Sequence, residues 1–498
     1  MSKKSLDKLI KQMEAYARGY GLDFYPVIFE MVDFEQMNEV ASYGGFPVRY
    51  PHWRFGMQYR YMEKSYTYGL HKIYEMVINN NPCYAYLLDS NNLVDQKLVI
   101  AHVYAHCDFF KNNSYFNNTN KKMVDEMANH GMRIHKYASK YGFEAVEDFL
   151  DTCFSIENLI DPNAIFDVHL HPEDVDGDIL EEEDRTVPKL KSKTYMEPYI
   201  NPPEYLKKRR DEREEARRRK KQFPARPEKD VMMFLIDFAP LPNWKRDILS
   251  MIREESYYFA PQAQTRIMNE GWAVYWHSKI LTEKALTDSE LIDYADHHSG
   301  TLGVRPGVIN PYKLGLELFK DIEYRWDTGR FGKEYEECDD LQEKSSWNLN
   351  TGEGREKIFQ VRKIYNDMMF IDDFMTEEFC REHKLFTYRL NPKTNRYEIE
   401  DRSVEKIKER LLFNLTNLGH PYISVVDANY DNRGELYLKH RFDGVELRID
   451  YAKATLENIF KVWNRPVHVQ TVIGENIAIL SYDGSNHRER TVSKENAA

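Results

Sequence analysis

Apolar residues recur three and four positions apart over most of the first 380 residues, and that spacing predicts a succession of amphipathic helices. LDKLIKQMEAYARGYG (6–21), SYTYGLHKIYEMVINN (65–80), KKMVDEMANHGMRIHKYASKYG (121–142) and FEAVEDFLDTCFSIENLI (143–160) all carry it. The first is expected to stop at Gly19 or Gly21, and the second at the Asn81-Pro82 step. WKRDILSMIREESYYF (244–259) is expected to break at Pro261 before QAQTRIMNEGWAVYWHSKILTEK (262–284). DSELIDYADHHSG (288–300), PYKLGLELFKDIEYRW (311–326) and GREKIFQVRKIYNDMMFIDDFM (354–375) continue the helical pattern.

Beyond about residue 384 the period shortens to two. LFTYRL and RYEIED (396–401) read as a hairpin, and SVEKIKERLLFNLTN (403–417) as a helix. YISVVDA, ELYLKHRF and VELRIDY (445–451) read as strands, the last two joined by a turn at Asp443-Gly444. The helix KATLENIFKVW and the strands VHVQTV and IAILSY follow. The expected architecture is therefore a mostly α N-terminal and central region with a zincin-like helical core, followed by a small C-terminal α+β domain. Its parts are a helical domain (1–171), a charged and proline-rich linker insertion (172–230), a second helical domain packing on the first (231–383), and the α+β domain (384–490).

Composition narrows the function. The 498 residues carry a formal net charge of −12, which argues against a general nucleic-acid binder. The basic run KKRRDEREEARRRKKQ (207–222) is interrupted by four acids and reads as a solvated helix. The nearby DVDGDILEEED is no calcium loop, because Gly177 at the sixth position would put Pro172 at the first. A mean hydropathy of −0.68 and no long uncharged apolar run exclude a spanning helix, and the charged start is no secretory signal. Five scattered cysteines read as reduced thiols. The 34 tyrosines and 26 phenylalanines suit cores and clefts whose rim stays wet.

The chemistry concentrates in two helices. In AHVYAHCDFF (101–110), His102 and His106 are four apart, so both imidazoles share one face and can reach one ion. The structural alternative is two histidines satisfied by core hydrogen bonds. QTRIMNEGWAVYWH (264–277) places Arg266, Glu270, Ala273 and His277 on one face, with Gly271 allowing another helix to come close. Glu270 and His277 are seven apart, roughly 10 Å along the axis. Glu270 is then the better ligand, with His277 behind the ligands or facing substrate, although Glu270 could simply pair with Arg266.

Two histidines on one helix with a downstream NEGWAVY resemble the gluzincin metallopeptidases. That resemblance implies zinc held by His102, His106 and Glu270, with a fourth position open for water. Val103, however, stands where those enzymes carry the general-base glutamate. The whole chain resembles the stage V sporulation protein R (SpoVR-like) family through FPVRYPHWRFG (46–56), INNNPCYAYL (78–87), HVYAHCDFFKNN (102–113), MNEGWAVYWH (268–277) and INPYKLGLELFKDIEYRW (309–326). The resemblance implies a soluble cytoplasmic protein linked to spore cortex formation or stress physiology. It also implies work beside a PrkA-type AAA serine kinase and a von Willebrand A domain protein.

Other residues could assist. Asp108 lies about 240° around the helix from His102, a poor position for a base. Glu254 and Glu255 could fold back across Pro261. His298, at a helix end before glycine, is the preferred extra ligand or proton shuttle, ahead of His297. His52, among aromatics, either lines the cleft with Arg266 or is a stacked structural residue. His169 and His171 share one strand face at the edge of the linker, where a surface role fits better. Cys107 points off the ligand face, and Tyr312 reads as packing. The leading expectation is a zinc-dependent hydrolase of amide or peptide bonds in a protein, peptide or peptidoglycan-related substrate. The alternative is a non-catalytic adaptor for the kinase and its partner.

Overall fold

The computed structural model describes residues 3–67, 74–164, 202, 204–205, 207–208, 223–303, 310–391 and 394–492. His169, His171 and most of the expected linker lie outside them. Helices dominate up to about residue 380, and the C-terminal part is an α+β sheet domain. The chain forms two compact units, each assembled from two separated stretches: Met1–Glu147 with Tyr257–Gly419, and Asp148–Ser256 with His420–Ala498.

In the first unit the helices that matter are α1 (Lys3–Gly19), α2 (Leu93–Asn112), α3 (Arg266–Ile280), α4 (Leu291–Thr301), α5 (Pro311–Thr328), α6 (Gly354–Ile364) and α7 (Asp367–Phe374). Helix α2 starts where the Asn92 side chain accepts the Asp95 N–H, and it is buried nearly all round, from Val99 and Ile100 to Phe109. A three-stranded sheet, order β1-β3-β2, accompanies it: β1 (Val27–Val32) runs parallel to β3 (Cys83–Leu88), and β2 (Glu75–Ile78) is antiparallel to β3. Helix α3 packs between α2 and α5, with Trp272, Trp276, Leu316 and Phe319 in one core. Its crossing with α5 is backbone to backbone, since a Cβ on Gly271 would lie 2.3 Å from the Gly315 carbonyl carbon. Asn310 caps α5 ahead of Pro311, and Gly329 ends it in the left-handed conformation.

Several expectations are corrected here. The helix read over 65–80 is instead the end of helix Trp53–Thr67 followed by β2, whose pairing (Glu75↔Leu87, Ile78↔Tyr84) overrides helical spacing. Strands β1 and β3 were also unanticipated in a region read as mostly helical. Helix Asn243–Gln264 continues through Pro261, where the Thr265 hydroxyl donates to the Pro261 carbonyl at 2.7 Å. The stretch 354–375 is two helices, divided at Asn366, whose side chain caps α7 by accepting the Met369 N–H.

In the second unit, a five-stranded sheet of order β8-β7-β6-β5-β4 comprises β4 (Tyr422–Tyr430), β5 (Glu435–Arg441), β6 (Val467–Ile473), β7 (Asn476–Tyr482) and β8 (His487–Val492). Strands β5 and β6 are parallel, joined across helix α8 (Ile449–Trp463). The expected strand over 445–451 is absent: Ile449 begins α8, which buries Leu456, Ile459 and Val462 at helical spacing.

Candidate metal centre

Burial brings the two histidines of α2 against α3. His102 and His106 turn their Nε2 atoms toward one another at 2.9 Å, and Glu270 Oε2 stands 3.7 Å from each. These three donors lie within 4.8 Å of one another, a group that could hold a metal ion. Donors about 2.0–2.2 Å from a tetrahedral zinc are roughly 3.2–3.6 Å apart, and the observed separations straddle that range. Glu270 Oε2 is buried without a hydrogen-bond partner among the described residues. An orphaned carboxylate oxygen facing two imidazoles is what a cation would satisfy.

The outer nitrogens are also engaged. His106 Nδ1 lies 2.9 Å from Asn269 Oδ1, which can only accept, so Nδ1 carries the proton and Nε2 keeps its lone pair. His102 Nδ1 lies 2.9 Å from His277 Nδ1. If His102 donates, its Nε2 is also free to bind, and the proton of His277 sits on Nε2, which has no hydrogen-bond partner among the described residues. Burial, then the neighbouring His102, lowers the pKa of His106 to about 4 and that of His277 well below the ordinary histidine value. Neutral imidazoles are the form that ligates metals.

Two carboxylates share this space. Glu75, from β2, places Oε1 3.9 Å from His102 Nε2. Burial raises its pKa, and Glu270 adds to the rise. Burial also pushes Glu270 upward, but His102, His106 and Arg266 outweigh it and hold its pKa below the usual value. The imidazole side chains are 6% and 8% exposed and both carboxylates 21%, so the carboxylates are the less deeply buried members of the group. Tyr312, on α5, neighbours both; burial and then their charge raise its pKa, so its hydroxyl stays a donor.

Helix α3 is anchored by a buried carboxylate. Asp367 accepts the N–H groups of Ile267 and Met268 at 2.8 and 2.9 Å, filling the unsatisfied first turn. Asp108 faces away from the donors, accepting from Trp272 Nε1 at 2.9 Å and from the Asp23 N–H at 2.7 Å. Val103 is fully buried in the core.

The remaining candidates are placed as follows. His277 adjoins His102 from behind and is buried, so it does not face an open cleft. His298 packs on His277 (ring centroids 5.8 Å) and on Tyr294, not on the donors. Arg266 is exposed at the start of α3, where its charge reaches Glu270. His52 is buried beside Trp53 and Phe55, its Nδ1 accepting the Arg54 N–H, and it does not join the donor group. Glu255 is buried and belongs to the other compact unit. Sequence reasoning did not single out Asn269, Glu75 or Asp367, and it read Tyr312 as packing. Asn269 directly precedes Glu270; for Glu75 the signal was EMVI-NNNP-CYAYLL, two short apolar runs around a turn.

Comparison with known proteins gives a consistent result. The family model described as SpoVR like protein matches residues 1–420, and the SpoVR-like C-terminal domain matches 421–474. An uncharacterized protein of Escherichia coli K12, YcgB, is 31% identical over 464 residues, covering 88% of this chain and 85% of that one. No solved structure matches.

Proposed function

This chain belongs to the SpoVR-like protein family, and on that premise we propose that it is a zinc-dependent hydrolase of amide bonds in a protein, peptide or peptidoglycan-related substrate, serving sporulation or stress physiology in the cytoplasm. The observation that carries the reading is Glu270 Oε2, buried without a hydrogen-bond partner among the described residues and 3.7 Å from both convergent Nε2 atoms. A divalent cation there supplies Lewis-acid polarisation of a carbonyl and makes water a better nucleophile at neutral pH. His102, His106 and Glu270 hold it, while Asn269 and His277 fix the rings that point at it. Tyr312 offers a hydroxyl donor to charge developing on the substrate oxygen.

The test is elemental analysis of full-length protein after incubation with zinc, followed by mass spectrometry of peptide and muropeptide pools exposed to it. About one equivalent of zinc in wild type, lost in His102→Ala and Glu270→Ala, with new cleavage products from wild type only, is the expected result. A wild type that takes up no zinc refutes it.

One observation favours a second reading. Val103 is fully buried in the core, so the helix that carries the histidines offers no carboxylate at the position where gluzincins keep their base. On this reading the ion is structural, and the chain is an adaptor for a PrkA-type AAA kinase and a von Willebrand A domain partner. Zinc-dependent capture of those partners with no cleavage of any pool would select it.

A further inference from the structure

A hydrolytic site needs a group to take the proton from water, and α2 lacks it at position 103. The three-stranded sheet supplies a carboxylate from elsewhere. Glu75 begins β2, an edge strand of that sheet, and its pairing with Leu87 fixes the backbone from which the side chain leaves. Its Oε1 comes within 3.9 Å of His102 Nε2, yet Glu75 stands outside the trio whose donor atoms all approach within 4.8 Å. It borders the donor group without belonging to it, a position from which a carboxylate can take a proton from a water held at the donors. The carboxylate makes no hydrogen bond to the described residues, and its side chain is 21% exposed.

Resting on the hydrolase reading, we infer that Glu75 is the proton acceptor of this site. Water loses one O–H bond, its proton passes to Glu75 Oε1, and its oxygen bonds to the carbonyl carbon of the amide. As the tetrahedral species collapses the C–N bond breaks, and the proton moves from Glu75 to the departing nitrogen. The products are a carboxylic acid and an amine, and Glu75 returns to its starting state.

The experiment compares wild type, Glu75→Gln, Glu75→Asp and Glu270→Gln as full-length proteins. Zinc stoichiometry and affinity are read by competition with a chromophoric chelator, and turnover on the peptides that wild type cleaves. Glu75→Gln is expected to bind one zinc within about threefold of wild-type affinity and to lose at least about 100-fold in kcat, with KM little changed. Glu75→Asp, which keeps a carboxylate, is expected to recover part of the rate and guards against a folding defect in the glutamine variant. Glu270→Gln is expected to lose zinc. Turnover by Glu75→Gln within about fivefold of wild type overturns the assignment, as does a tenfold or greater loss of zinc affinity, which would make Glu75 a ligand. Zinc-loaded wild type that cleaves no peptide refutes the hydrolase reading itself, and this role with it.

Discussion

The backbone contact between α3 and α5 makes Gly271→Ala a stringent perturbation of the site. The added methyl would stand 2.3 Å from the Gly315 carbonyl carbon, 2.4 Å from its Cα and 2.8 Å from the Leu316 nitrogen. Carbon atoms pack at about 3.5–4.0 Å, so the helices must part by roughly 1.2–1.7 Å. The obstacles are backbone atoms, so no rotamer change relieves the overlap. Overpacking usually costs about 1–3 kcal/mol, and a rigid backbone clash belongs at or above the top of that range. At roughly 2 °C per kcal/mol for a unit of this size, the melting temperature should fall by about 6 °C. Glu270 precedes the substituted residue, and metal–ligand distances tolerate only about 0.2 Å, so zinc affinity should fall at least tenfold. The assays are thermal denaturation by circular dichroism and chelator competition. Gly56→Ala is the internal control: Gly56 lies within helix Trp53–Thr67 with nothing within 4 Å of the added carbon, and the change should stabilise by about 0.5–1 kcal/mol. A Gly271→Ala protein that melts within about 1 °C of wild type and binds zinc equally well would refute the close-crossing argument.

Two further outcomes follow from the same geometry. Asn269→Ala removes the acceptor that holds the proton on His106 Nδ1, and zinc affinity should drop about 10–100-fold while the melting temperature of the metal-free protein changes little; unchanged affinity in a chelator titration counts against the tautomer assignment. The pKa of Asp367 is raised by burial from 3.8 to about 7, although the N–H groups of Ile267 and Met268 oppose the rise. Because the folded value exceeds the unfolded one, the group's stabilisation is complete below about pH 4 and is lost as pH rises through about 7. Metal-free Asp367→Asn should therefore gain roughly 2–3 kcal/mol relative to wild type between pH 5 and 8, and a difference that stays constant over that range is the contrary result.

The two helices that make the donor group were legible in the chain because their message is local. The spacing of His102 and His106 puts them on one face wherever a helix forms, and the glycine after Glu270 announces a close neighbour, which proved to be α5. Glu75 was illegible for the opposite reason. Residues 65–80 carry enough helical spacing to pass for one helix, and what makes Glu75–Ile78 a strand is β3, whose residues Tyr84–Leu87 pair with it. The strand expected over 445–451 failed the same way, its alternation ending where Ile449 enters a helix whose buried residues lie further on. Asp367 reaches the α3 first turn from about 100 residues away, a contact no window on the sequence can contain.

The interleaving of the two compact units has a consequence for synthesis. The histidines of α2 leave the ribosome early, and Glu270 follows 164 positions after His106, with Asp148–Ser256, assigned to the other unit, made in between. At about 5–20 residues per second the delay is roughly 8–30 s. For that interval the nascent chain carries a helix that is apolar nearly all round and still lacks α3 and α5. A cation arriving then would meet two imidazoles and no Glu270. The late partner that completes the donor group also brings the glycine at which α5 closes over it, so the donor group is completed and α2 covered by α3 as residues 266–328 are made, a little past the middle of this sequence.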